Sequence, residues 1–206
     1  MEISGCRRRP VRLALGALAQ SLALGASQLR PAAFWPLMTA TLVGSGLSVG
    51  RSEERRVGLP SGRWLWQGAA CGIGMYALTF GAARILSRTG PGRLSLDQLE
   101  RCTGSVPPTL AALLALPAAC GEEWFWREGV LGAELARGGG PGPALLRSTL
   151  WYAAVQMAAV DPLPPAGAIL LGGVTGALRL TSDSIWPGLI AHVVYSELTL
   201  VAPGLP

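Results

Sequence analysis

Two adjacent carboxylates, Glu122 and Glu123, stand where the apolar stretch Val106 to Cys120 gives way to Trp124-Phe125-Trp126-Arg127. A charged side chain at membrane depth costs about 3 kcal/mol on insertion scales, so its presence is by default a functional hypothesis. Glu123 and Arg127 are four residues apart, lie on one helix face and can pair. Adjacent helical positions point about 100° apart, so the two glutamates are not expected to face one partner, and Glu122 is left for other work. A carboxylate in a dry helical pocket suits a general base that draws a proton from water. The only histidine of the chain, His192, comes late and stands four residues before Ser196, on one helix face with it. The competing reading makes Glu122, Glu123 and Arg127 juxtamembrane charges that snorkel to the interface.

The elements that must position these groups are apolar helices. In 206 residues, 50% are hydrophobic and 14% charged, outside the usual range of a water-soluble domain. A transmembrane helix needs about 20 mainly apolar residues, and the chain offers Val11 to Ser27, Pro31 to Val49 and Trp64 to Leu86. In the second half come the Val106 helix that ends in the charges, then Pro143 to Val160, Ala166 to Leu180 and Ile185 to Ala202. The expected fold is all-α, a polytopic transmembrane bundle of about six to seven spans. Residues 1–104 would supply N-terminal membrane helices and a polar loop, and residues 105–206 the part that carries chemistry. Gly138 to Pro143, with three consecutive glycines and two prolines, reads as a turn. Ser87 to Thr103 is either a short amphipathic helix at the interface or a surface loop. The start MEISGCRRRP, with the apolar stretch after it, has a signal peptide's charge pattern. It is read as an uncleaved first helix, since no A-x-A site precedes a soluble domain.

The run Glu122-Glu123-Trp124-Phe125-Trp126-Arg127 resembles the EExxxR signature of the CAAX-processing and bacteriocin-processing (CPBP, or Abi) membrane proteases. So do the glycine-rich turn, Tyr152-x-x-x-Gln156, the run Gly172-Gly173-x-x-Gly176, and Ser184-Ile185-Trp186-Pro187-Gly188-Leu189-Ile190-Ala191-His192. The likeness covers about Val106 to Ala202. It implies an intramembrane endopeptidase in which the first glutamate, with the histidine of an FxxxH motif, activates water, while the histidine and asparagine of HxxxN stabilise the oxyanion. Carried over, Glu122 becomes the water-activating carboxylate, Glu123 with Arg127 its structural support, and His192 an oxyanion partner. Two positions depart: Gln156 stands where the FxxxH histidine is expected and Ser196 where the HxxxN asparagine is expected. Glutamine cannot take a proton near neutral pH, though it can orient a water. Serine keeps one donor on a shorter side chain, and loss of an oxyanion donor costs about 100-fold or more in rate. Glu197, next to Ser196, is a conceivable substitute.

The resemblance implies a membrane-anchored protein or peptide as substrate and the bilayer as surroundings. A catalytically silent relative, acting as a membrane scaffold, partner or immunity protein, is the alternative that Gln156 and Ser196 favour. A transporter is a weaker option, since no inverted repeat or paired broken helices stand out. No cofactor is expected: a catalytic zinc ordinarily takes three protein ligands, and one histidine with Glu122 and Glu123 is a poor set. The net charge of +5 does not point to nucleic acid, because no basic face interleaved with aromatics is present. The arginines instead flank apolar runs (Arg7, Arg8, Arg9, Arg12; Arg51, Arg55, Arg56, Arg63), as the positive-inside rule arranges them, with the N-terminus cytoplasmic. Arg84, Arg88, Arg93 and Arg101 conflict with that orientation. All 17 basic residues are arginine, a mark of GC-rich bacterial coding, and the inner membrane of a bacterium is the expected location. The cysteines (Cys6, Cys71, Cys102, Cys120) share no metal or disulfide spacing and read as buried thiols. The tryptophans read as interfacial belts, with Trp124, Phe125 and Trp126 either belt or substrate groove. Arg147 and Arg179 read as snorkelling side chains, and Asp161 as the cap of a turn before Pro162.

Overall fold

The computed structural model describes residues 3–49 and 61–201, in which helices alternate with short turns and no strand occurs. Helix α1 (Ile3–Leu29) stops at Arg30-Pro31, and the 3-10 turn Pro31–Ala33 leads into α2 (Phe34–Ser48). Helix α3 is Gly62–Leu86 and α4 is Gly90–Thr103. The Thr89 hydroxyl caps α4 by accepting from the Gly92 N–H at 3.1 Å, so the stretch Ser87 to Thr103 is a helix from Gly90 onward rather than a surface loop. Helix α5 (Pro108–Glu123) continues through a π-helical segment, Trp124–Leu131, into α6 (Gly132–Ala136). Then follow α7 (Pro141–Gln156), the 3-10 turn Met157–Ala159, α8 (Leu163–Ser182) and α9 (Trp186–Val201).

The turns follow from local chemistry. Gly138, Gly139 and Gly140 have φ of +80°, +92° and +87°, a region in which only glycine rests without strain. Pro141 is already inside the first turn of α7, where its missing N–H has no partner to lose, so the turn is shorter than the expected Gly138 to Pro143. At the other end of α7, Val160 is forced to φ 54°, and the Asp161 carboxylate accepts from the Leu163 N–H at 2.8 Å, which is the turn cap expected of it.

The all-α bundle is as expected. Among the described residues, α3 and α8 are long and apolar enough to cross a bilayer, and α4 with Pro108–Ala136 makes a third candidate, bent by 87°. Helices α2, α7 and α9 have 15, 16 and 16 residues, below the roughly 17 that cross alone. Helix α1, with 27 residues, is long enough but does not pass on composition, and so six or seven spans counted on hydropathy become two or three on helix length and composition. The outer surface is apolar: on α1, Val11, Leu15, Leu18 and Leu22 are each more than half exposed, as are Leu113 on α5 and Leu146, Leu150 and Trp151 on α7. Contiguous exposed apolar surface of this kind marks contact with lipid rather than water.

Close approach of backbones sets the interior. Gly46 on α2 meets Gly121 on α5, where an added Cβ would stand 2.7 Å from the Gly121 carbonyl oxygen. Gly72 on α3 lies against Ala191 of α9, and Gly172 on α8 against Thr149 and Tyr152 of α7. In lipid, where apolar burial gives helices little reason to associate, such small-residue contacts carry the packing. The α2–α5 crossing matters most here, since it fixes the residue preceding Glu122. Gly46→Ala should lower stability by about 1–3 kcal/mol, whereas Gly44→Ala on the same helix, with nothing within 4 Å of the new Cβ, should leave it unchanged. Unfolding in detergent compares the two, and equal effects would contradict the packing described.

Candidate intramembrane active site

Helix α5 delivers Glu122 and Glu123 at its last two positions, and the π segment begins at the next residue. A π turn widens the helix locally and recurs at functional sites. Phe125, Trp126, Arg127 and Leu131 on it are at most 1% exposed. Trp126 is therefore neither belt anchor nor groove wall of the substrate site. Its ring lies in the core, its Nε1–H donating to Gln20 Oε1 at 3.1 Å. Trp35 is likewise buried, bonded to the Thr103 carbonyl at 2.8 Å, while Trp66 and Trp151 are exposed.

Glu123 is fully buried and ringed by donors. Arg127 Nε lies 3.1 Å from Oε2 and Nη2 3.3 Å from Oε1. His192 Nδ1 is 3.0 Å from Oε1. The Thr175 hydroxyl accepts from Arg127 Nε at 2.6 Å and has its one proton to share between the Leu171 carbonyl at 3.0 Å and Glu123 Oε1 at 3.3 Å. Thr175 was not singled out in the sequence; its signal is a lone hydroxyl inside the Gly172-Gly173-x-x-Gly176 run. Gly188, in the first turn of α9, keeps this space free, since a Cβ there would meet the Thr175 carbonyl at 3.1 Å and Glu123 Oε2 at 3.4 Å.

Glu122 faces the other edge of the same imidazole, with Oε2 3.8 Å from His192 Nε2. The expectation that the two glutamates cannot share a partner is thus corrected. An imidazole carries nitrogens on two edges, and lying between successive helical positions it reaches both carboxylates. The Tyr152 hydroxyl lies beside the Glu122 carboxyl. A cavity of about 310 Å³ opens in front of Glu122, and Tyr152, Gln156, His192 and Ser196 line it together with Asp161. Glu123 and Arg127 are absent from its wall and sit behind it. The first half of the chain completes the enclosure through Leu24 and Gln28 of α1, Met38 and Leu42 of α2, and Gln98 and Cys102 of α4. Glu197 does not line the cavity, and its Oε1 is buried without a hydrogen-bond partner.

A zinc ion does not fit these donors. Both oxygens of Glu123 are committed to Arg127, Thr175 and His192, and no group of three His, Cys, Asp or Glu among the described residues could hold a metal. Three further expectations are corrected. Arg179 does not snorkel but is buried, bonded to Glu128 at 2.6 Å and Asp183 at 3.0 Å. Arg147 pairs at 2.6 Å with the buried Glu134, which Arg137 also contacts. Of the thiols, Cys102 is buried but Cys71 is half-buried and Cys120 exposed. Breaking a buried ion pair strands a charge and costs about 3–5 kcal/mol. Arg127→Gln and Glu123→Gln should each lose about that much on unfolding in detergent, and Glu122→Gln markedly less; equal losses at the three positions would contradict the division between supporting and cavity-facing carboxylates.

No curated protein and no solved structure matches the chain. Residues 104–197 match the family model described as Type II CAAX prenyl endopeptidase Rce1-like, an interval that holds Glu122, Glu123, Arg127, Tyr152, Gln156, Thr175, His192 and Ser196. With its apolar exterior and helices of spanning length, the chain is an integral membrane protein. Its second half, through residues 104–197, is similar to the Rce1-like, type II CAAX prenyl endopeptidases of the CPBP proteases.

Proposed function

We propose that this protein is an intramembrane endopeptidase that hydrolyses a peptide bond in a membrane-tethered protein or peptide, with Glu122 as the base that activates water. The observation that carries the reading is the convergence of Glu122, His192, Gln156 and Ser196, from three helices, on one cavity. A water in front of Glu122 would give its proton to the carboxylate as the oxygen attacks the scissile carbonyl, and the carboxyl would then return that proton to the leaving amine. His192 has its Nδ1 fixed by Glu123, so Nε2 is turned toward Glu122 and the reacting centre. In the doubly protonated ring, Nε2–H would donate to the developing oxyanion, with the Ser196 hydroxyl as second donor. Gln156 would hold the water without taking its proton. The apolar wall supplied by Leu24, Met38 and Leu42 suits a substrate presented from within the bilayer, whether in maturation of a tethered C-terminus, processing of a small peptide or sorting of an anchored surface protein.

Co-expression with membrane-tethered candidates from the genomic neighbourhood tests this reading. Wild type should release a shortened product, Glu122→Ala should lower its formation by about 10²- to 10⁴-fold, His192→Ala should also lose most of it, and Gln156→His should raise it. Equal processing by wild type, Glu122→Ala and His192→Ala would leave the silent-relative alternative.

The proposed location is a bacterial inner membrane with the N-terminus in the cytoplasm. Gly68 and Gly72 of α3 lie against Pro187 and Ala191 of α9, and Gly172 and Gly176 of α8 against Tyr152 and Leu145 of α7. So α3, α7 and α9 begin at the end where α8 finishes, and Arg63, Arg137, Arg147 and Arg179 belong to that end. The arginines at the start of α1 add to it, since Leu13 of α1 packs on Gly129; together they outnumber Arg30, Arg84, Arg88, Arg93 and Arg101 of the opposite end, and the end richer in arginine is taken as the cytoplasmic side. Helix α4, which contributes to the cavity wall, then lies on the outer side. In a cysteine-free background, Leu94→Cys on α4, 69% exposed, should react with a membrane-impermeant maleimide in intact spheroplasts. Labelling only after lysis would invert the orientation.

A further inference from the structure

The FxxxH motif is altered here at both of its defined positions, to Tyr152 and Gln156, and the two alterations meet at one point in space. Tyr152 is 3% exposed. Its ring lies 4.9 Å from that of Trp126, tilted by 39°, has the Arg127 guanidinium 5.5 Å from its centre, and packs on Gly172, where a Cβ would come within 3.2 Å of its Cδ1. Those neighbours pack the ring on several sides, and the hydroxyl that phenylalanine lacks lies beside the Glu122 carboxyl, both residues lining the one cavity. Gln156, one turn further along α7, lines the same cavity, but as an amide it cannot exchange a proton with a carboxylate. A carboxylate acting as base must hold one oxygen toward its water, and misplacement by about 1 Å costs as much as 100-fold in rate.

We infer that Tyr152 is a positioning residue that takes over part of the missing histidine's work: its hydroxyl donates to one oxygen of Glu122 and so directs the other oxygen to the water. Phenylalanine with histidine has become tyrosine with glutamine, and the partner of Glu122 has moved one turn down the same face of α7. This inference rests on Glu122 acting as proposed above, and its test separates the two.

Infrared spectra of the full chain in lipid identify Glu122 by the carboxyl band lost in Glu122→Gln. In a Tyr152→Phe background that band should shift, because a donor to it has gone. On an internally quenched peptide bearing a farnesylated cysteine near its C-terminus, Tyr152→Phe should lower kcat about 10- to 100-fold with KM unchanged. Tyr152→Phe/Gln156→His should recover most of the loss, and a merely structural ring would show neither the kcat-only effect nor the rescue. An unmoved Glu122 band, or wild-type kcat in Tyr152→Phe while Glu122→Ala is inactive, overturns the inference and leaves the protease reading intact. Cleavage that persists in Glu122→Ala removes the protease reading instead. In that case, or with the peptide left uncut by wild type, the band alone decides whether Tyr152 holds Glu122.

Discussion

The buried carboxylate of Glu123 is the interaction on which the site depends. It is a full charge with no access to water, a placement that is tolerable only when every lone pair is met by a well-placed donor. Arg127 supplies two N–H groups from the same helix, Thr175 a hydroxyl from α8, and His192 a ring nitrogen from α9. Three helices that already share an apolar core are thereby fixed in rotation as well as distance. The π segment that starts at the residue after Glu123 places Trp126 and Arg127 inside the bundle together. It is this registration that presents Glu122, one residue away, to the cavity.

The chemistry follows from the division of labour between two neighbouring carboxylates. Glu123 is spent on structure and on the orientation of one imidazole; Glu122, whose partners are a ring edge at 3.8 Å and a tyrosine hydroxyl, keeps an oxygen available. Orientation of a histidine by a carboxylate behind it is a recurrent device for fixing which nitrogen faces the reacting centre. The N-terminal helices are participants in this arrangement. Gln98 of α4 donates to Gln28 of α1 at 2.9 Å, and the Trp35 ring of α2 is bonded to the end of α4, so the cavity's far wall is tied together by polar contacts between two membrane helices and the amphipathic segment.

What could be read in advance was local. The i, i+4 spacing of Glu123 and Arg127 announced their pair, and the apolar runs announced the helices to within a few residues, except that α1 begins at Ile3, well before the expected Val11. His192 gained a role through the resemblance, as a lone histidine on an apolar helix has no spacing partner to declare it. Thr175 stayed silent because a threonine in a span ordinarily bonds the carbonyl four residues back, as this one also does. Arg179 and Arg147 were misread because their acids, Glu128 and Glu134, lie 51 and 13 residues away in sequence. The shared use of His192 by both glutamates was hidden by reasoning from Cβ directions alone, which ignores how far a flat ring with two nitrogens can reach.

Because His192 is the only histidine in the chain, selective ¹⁵N-histidine labelling gives a single-residue spectrum of the protein in bilayers. If Glu123 anchors the imidazole, Nδ1 carries a strongly hydrogen-bonded proton, and Glu123→Gln changes the Nδ1 signal while the ring stays in place. An Nδ1 without a proton, with a spectrum indifferent to Glu123→Gln, would contradict the account at its centre.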